Sequence, residues 1–166
     1  MVDECAKAAR PPMPDISHLL LVDDDQALLA ALSGTLKARF GHFSLDTIDS
    51  GVGALELAKR HKYDTIIMDV NMPRMNGFEV LSAVRTLQPH TPVLLISGHA
   101  DETMMAKAIE QGAVELIPKP FDREKFVLAV RRSLALSAAQ SSVGQGLQQH
   151  TVRSLKAKTI DQKPSY

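Results

Sequence analysis

The sequence predicts an α/β domain: a doubly wound, five-stranded parallel sheet in a three-layer sandwich. Three observations point there. Short β-rich apolar runs recur along the chain, helical periodicity fills the gaps, and polar residues follow the runs directly. Strands that alternate with helices build βαβ units, and right-handed crossovers then cover both faces of a parallel sheet.

The expected strands, in order, are His18–Val22, Phe43–Ile48, Thr65–Met68, Pro92–Ile96 and Val114–Ile117. Between the first two, Leu28, Leu32 and Leu36 repeat every four residues and mark one helix face. Ser50 is a candidate N-cap for the second helix. The Met72–Gly77 loop reads as a turn closed by glycine. Met105 and Ile109 carry the period of the fourth helix behind the candidate cap Asp101, with one of Met104 and Met105 expected in the core and the other at the surface. Phe126, Val130 and Leu134 do the same for the fifth helix behind Asp122.

The ends read differently. Residues 1–16 form an expected flexible leader, broken by Pro11, Pro12 and Pro14. Residues 17–137 form the domain. Residues 138–166 begin with a Ser/Gln/Gly-rich run and are expected to be flexible or weakly helical. That tail is too short for a helix-turn-helix output domain, so none is expected.

Composition narrows the function classes. Of 166 residues, 45% are hydrophobic and 23% charged, and 19 basic residues balance 19 acidic ones. A neutral chain offers no general electrostatic case for binding DNA or a membrane surface. The single cysteine, Cys5, cannot form an internal disulfide. The histidines lack zinc-site spacing, and no apolar stretch is long enough to span a membrane or form a signal-peptide core. A soluble cytoplasmic protein is expected.

Open α/β sheets bind ligands beyond the C-terminal ends of their strands. Asp23, Asp24 and Asp25 follow the first strand. Asp69 and Asn71 follow the third, Ser97 the fourth and Lys119 the fifth. Each has a bland reading alone: a solvated helix start, a turn, a surface charge. Their joint arrival at one sheet edge is harder to explain that way. Two carboxylates about 4 Å apart repel by roughly 4 kcal/mol at an effective dielectric near 20, which a raised pKa or a bound cation relieves. Hard oxygen donors choose Mg²⁺, with Mn²⁺ as a substitute. A carboxylate in such a place can attack phosphorus and become an aspartyl phosphate. Lys119 can neutralise phosphoryl oxygens, and Ser97 can donate a hydroxyl to them.

The runs LLLVDDD, TIIMDVNMPRMNGFEVL, PVLLISGHA and GAVELIPKPF resemble the signature blocks of response-regulator receiver domains. The resemblance implies the flavodoxin-like strand order 2-1-3-4-5. It implies Asp69 as phosphoacceptor, and Asp23, Asp24, Asp69 and the Asn71 backbone carbonyl as the Mg²⁺ site. It further implies Ser97 and Lys119 as groups that engage the phosphoryl, a cis Lys119–Pro120 bond, and His99 at a position that tunes dephosphorylation. Asp25 falls at a variable position without a site role. The implied partners are a histidine kinase or histidine phosphotransfer protein and an unknown downstream protein, met through the fourth helix, fifth strand and fifth helix. Such a domain catalyses only its own phosphorylation and dephosphorylation. One position departs: Leu116 stands three residues before Lys119, where the family carries Tyr or Phe, so a modest conformational response is expected.

Other readings fit less well. An Asp-nucleophile phosphatase wants a second carboxylate two residues on, where Asn71 stands. A flavin carrier wants a phosphate-binding loop after the first strand, where three aspartates would repel a phosphate. The remaining alternative is a degenerate receiver that serves as a phosphorylation-independent scaffold.

Overall fold

In the computed structural model, which describes residues 16–158, strands and helices alternate without exception. The strands are β1 (Ser17–Val22), β2 (Phe43–Ile48), β3 (Thr65–Asp69), β4 (Val93–Ser97) and β5 (Glu115–Pro118). The helices are α1 (Gln26–Arg39), α2 (Gly51–Arg60), α3 (Gly77–Leu87), α4 (Glu102–Glu110) and α5 (Arg123–Lys158). All strand pairs are parallel, in the order β2-β1-β3-β4-β5. The class and order expected from the sequence are both present.

Two apolar layers hold the sheet. β3 and β4 are buried at every position, as parallel strands covered on both faces must be. Alternate side chains go to opposite sides. Leu20, Val22, Ile66, Met68, Leu95 and Leu116 face the side of α2, α3 and α4, where Ala58, Leu81 and Val84 meet them. Leu19, Leu21, Ile67, Leu94, Ile96 and Ile117 face α1 and α5, against Leu32, Leu36, Phe126 and Val130. Full burial of each such aliphatic side chain contributes roughly 1.5–3 kcal/mol. Pro118, which cannot donate to a ladder, is tolerated because β5 is an edge strand.

The predicted caps form. Ser50 Oγ accepts from the Gly53 N–H at 3.2 Å, Asp101 from Met104 at 2.7 Å and Asp122 from Lys125 at 2.7 Å. Asp25, without a site role in the sequence reading, caps α1 by accepting from the Ala27 and Leu28 amides. Asn76 and Glu79 add a reciprocal capping box at α3. The Lys119–Pro120 bond is cis.

Two expectations are corrected in detail. Asp69 and Ser97 are the last residues of their strands rather than the first beyond them, because their backbones still pair, with Ile96 and Pro118 respectively. On α4, Met105 and Ile109 are 44% and 56% exposed, while Met104 and Ala108 face inward. The period was right and the face was one residue off. Beyond Ser137, where the sequence left a flexible or weakly helical tail open, α5 continues to Lys158. Ser141 and Ser142 donate to the carbonyls four residues earlier, so hydroxyls that often compete with a helix here bond along it. Residues 1–15, with Cys5 and nearly all of the expected leader, and residues 159–166 lie outside the described residues. No helix among the described residues is long and apolar enough to cross a membrane.

Candidate functional site

The chain leaves β1 toward β2 on one side and returns to β3 on the other, so the strand order reverses between β1 and β3. Loops diverge at such a point and open a crevice at the C-terminal strand ends. Val22 pairs with Met68, so Asp23 and Asp69, each one residue on, emerge level and side by side. Ser97 pairs with Pro118, so Lys119 lies one residue beyond Ser97 on the other flank, its N–H donating to the Ser97 carbonyl at 2.7 Å.

The carboxylates of Asp23, Asp24 and Asp69 offer oxygens that all lie within 4.8 Å of one another. Asp23 and Asp69 are buried, at 1% and 3% exposure, whereas Asp24 is exposed. Lys119 Nζ reaches in from β5, 2.8 Å from Asp69 Oδ1 and 3.3 Å from Asp23 Oδ2. One ammonium cannot balance three carboxylates, and the cluster keeps excess negative charge.

Backbone amides orient the two buried acids. The Asp25 N–H donates to Asp23 Oδ1 at 2.9 Å, and the Asn71 N–H donates to Asp69 Oδ2 at 2.9 Å. Asp69 Oδ1 has no aligned hydrogen bond: the ammonium approaches it by charge but off the hydrogen-bond direction. Burial raises the Asp23 carboxyl above its usual value, and the charge of Asp69 adds to this. The Asp25 amide and Lys119 oppose the rise without cancelling it. For Lys119, burial is the largest single influence and acts downward. The close approach and charge of Asp69, with help from Asp23, together outweigh it and hold the ammonium above its ordinary value.

The α3 entrance is fitted to this site. A Cβ on Gly77 would lie 2.5 Å from the Asp69 carbonyl oxygen and 2.9 Å from Val70 Cα. Only glycine lets the start of α3 pass so close to the end of β3, where the Gly77 N–H donates to the Val70 carbonyl at 2.9 Å.

Ser97 is fully buried, and its hydroxyl is engaged by its own loop. It donates to the His99 carbonyl at 2.7 Å and accepts from the His99 N–H at 3.1 Å. Met104 Sδ lies 3.5 Å from the same oxygen. The sequence reading found Ser97 but not this sulfur contact; its only trace there was the expectation that one of Met104 and Met105 is a core residue. The His99 side chain is 82% exposed. Leu116 is buried and fills its place in the layer beneath α4.

The residues fit a divalent cation. Three convergent carboxylates, a buried Asp69 oxygen without an aligned donor and a net negative charge suit a hard ion with oxygen ligands. The cluster also presents a nucleophilic carboxylate beside an ammonium.

Comparison with known proteins identifies the family. The response regulator receiver domain family matches residues 19–131. The chain is 39% identical over 116 residues to the response regulator protein FleR of Pseudomonas aeruginosa, covering 70% of this chain and 24% of FleR. It is 35% identical over 138 residues to the response regulator protein TodT of Pseudomonas putida, covering 83% of this chain and 60% of TodT. The chain thus spans under two thirds of either relative. Among solved structures, the chemotaxis protein CheY4 of Vibrio cholerae superposes with a TM-score of 0.66 at 31% identity, covering 72% of this chain and 99% of CheY4. The chain belongs to the response regulator receiver domain family, the signalling module of two-component systems.

Proposed function

We propose that this chain is a phosphorylation switch in which Asp69 accepts a phosphoryl group from a histidine kinase or histidine phosphotransfer protein. The observation that carries the reading is the buried Asp69 carboxylate, with Lys119 Nζ at 2.8 Å and Asp23 and Asp24 grouped against it. In the transfer, an Asp69 oxygen forms a bond to phosphorus as the phosphorus–nitrogen bond of the donor imidazole breaks. The imidazole leaves with the electron pair and takes a proton.

Each residue has a task in that step. Lys119 follows the charge from the carboxylate to the phosphoryl oxygens. Ser97 turns its hydroxyl from His99 toward a phosphoryl oxygen. The Asn71 amide holds Asp69 Oδ2, which leaves Oδ1, beside Lys119, as the oxygen without an aligned donor. Asp23, Asp24, Asp69 and the Asn71 carbonyl would hold Mg²⁺, or Mn²⁺ in its place, which supplies neutralising charge for the phosphoryl oxygens. The chain acts only on its own phosphoryl group and turns over no separate substrate.

The setting we infer is the cytoplasm, where reducing conditions suit the lone Cys5. The modified domain engages a downstream protein rather than DNA. The alternative, a phosphorylation-independent scaffold, predicts a partner indifferent to Asp69. Capture experiments with phosphorylated wild type and with Asp69→Asn separate the two. A partner retained by the phosphorylated protein alone supports the switch, and equal retention by both supports the scaffold.

A further inference from the structure

Leu116 stands where a switching aromatic would sit in this family, so the coupling from site to surface needs another carrier in this chain. We propose that Met104 is a positioning residue that ties the Ser97 hydroxyl to the first turn of α4, and that its release carries the state of Asp69 into that helix. The inference rests on the phosphoacceptor reading of Asp69.

The Ser97 hydroxyl has one proton and is fully buried among three contacts: the His99 carbonyl at 2.7 Å, the His99 N–H at 3.1 Å and Met104 Sδ at 3.5 Å. Rotation toward a phosphoryl oxygen breaks all three together. The consequences differ. His99 is exposed, so its backbone exchanges one partner for water. Met104 is partly buried against the layer that contains Leu116 and Ala108, and its sulfur has to find a new place there.

α4 is weakly seated, which makes that event matter. Of its nine residues, Ala108 is the one that is buried. Met104 lies one helical turn earlier on the same face, so these two residues form the inward stripe. Ala108 is a small anchor, and Met104 is the larger one. Its unbranched thioether changes rotamer readily and fills irregular gaps. A repositioned Met104 therefore tilts or slides the first turn of α4, carrying the exposed Met105 and Ile109 with it. Leu116, already buried at 4% exposure, has no comparable swing available.

The test is methyl NMR on protein labelled at methionine Cε, with beryllium fluoride and Mg²⁺ as the phosphoryl mimic. Met104→Leu removes one of the seven methionine signals and so identifies it. In wild type, the Met104 methyl should move by more than its linewidth as the mimic saturates the amides around Asp69. In Ser97→Ala, the same methyl should be displaced before the mimic is added and should respond little afterwards. A Met104 methyl that stays in place while the amides near Asp69 saturate overturns the inference alone. So does a Ser97→Ala protein whose Met104 methyl starts and moves as in wild type. No response at Asp69 under any mimic concentration overturns the phosphoacceptor reading, and this inference with it.

Discussion

Lys119 Nζ sits 2.8 Å from Asp69 Oδ1, yet that buried oxygen has no aligned hydrogen-bond donor. The contact is one of charge. It holds an anion in place without tying up the oxygen in an aligned hydrogen bond. The same ammonium reaches Asp23 Oδ2 at 3.3 Å, so one cation is shared between two buried acids. Lys119→Ala should slow labelling of Asp69 by a small-molecule phosphodonor about 100-fold, the usual scale for losing one oxyanion-stabilising group. Phosphorylation kinetics followed by intact mass would check this, and a loss under threefold would remove Lys119 from the site.

Burial raises the Asp23 carboxyl, so its ionised form strains the fold. With a folded value above the unfolded one, the stabilising contribution is present at low pH. It is lost as pH rises through the folded value. At neutral pH and without divalent ions, Asp23→Asn should therefore stabilise the protein by about 1 kcal/mol. The gain in melting temperature on adding Mg²⁺ should shrink at the same time. Thermal melts with EDTA and with Mg²⁺ give both numbers. A destabilised variant with an intact Mg²⁺ response would contradict the assignment of Asp23.

Gly77→Ala places a Cβ against backbone atoms of Asp69 and Val70 that cannot rotate away. The loop after β3 has to shift, at a cost of about 1–3 kcal/mol. Urea titration should show the loss, and labelling of Asp69 should slow as well because the nucleophile moves with the loop. A neutral substitution would mean that the α3 entrance does not fix the acceptor.

At the opposite end of the sheet, Tyr63 donates its hydroxyl to Asp46 Oδ2 at 2.6 Å. Burial, then the hydrogen bond and charge of Asp46, push the Tyr63 phenol well above its ordinary value of 10.0. The fold keeps the phenol neutral, so its contribution is full below pH 10 and is lost as pH rises beyond that. Tyr63→Phe should cost about 1–2 kcal/mol near neutrality and flatten the alkaline limb of the stability curve. A limb as steep as in wild type would place the cause elsewhere.

Leu116 is buried in the layer beneath α4 and carries no ring to swing. With the phosphoryl mimic bound, backbone shifts across residues 101–134 should therefore be modest, apart from the first turn of α4. Large shifts throughout that span would contradict this.

Much of this was legible in the sequence for one reason: parallel strands buried on both faces read as short apolar runs, and their ends define one functional edge. TIIMD and VLLIS announced themselves that way, and Asp24, Asp69 and Lys119 followed. What was hidden depended on choices that pattern does not encode. On α4, the pairs Met104/Ala108 and Met105/Ile109 share one period, and the bulkier pair turned out to face solvent. Ala108 takes the inward position, fully buried, with Met104 one turn earlier beside it. The rotamer that points the Ser97 hydroxyl at His99 is likewise set by the loop geometry. Along α5 in the Ser/Gln/Gly-rich run, the Ser141 and Ser142 hydroxyls bond back to carbonyls of the helix itself, an arrangement that composition does not announce.

The central claim is that Asp69 is the acceptor. Wild type and Asp69→Asn should be incubated with acetyl phosphate and Mg²⁺, reduced with borohydride and mapped by peptide mass spectrometry. Wild type should gain a single phosphoryl group and yield homoserine at position 69, while Asp69→Asn gains neither. Equal phosphoryl incorporation in the two proteins, or reduction at another carboxylate, would contradict the account.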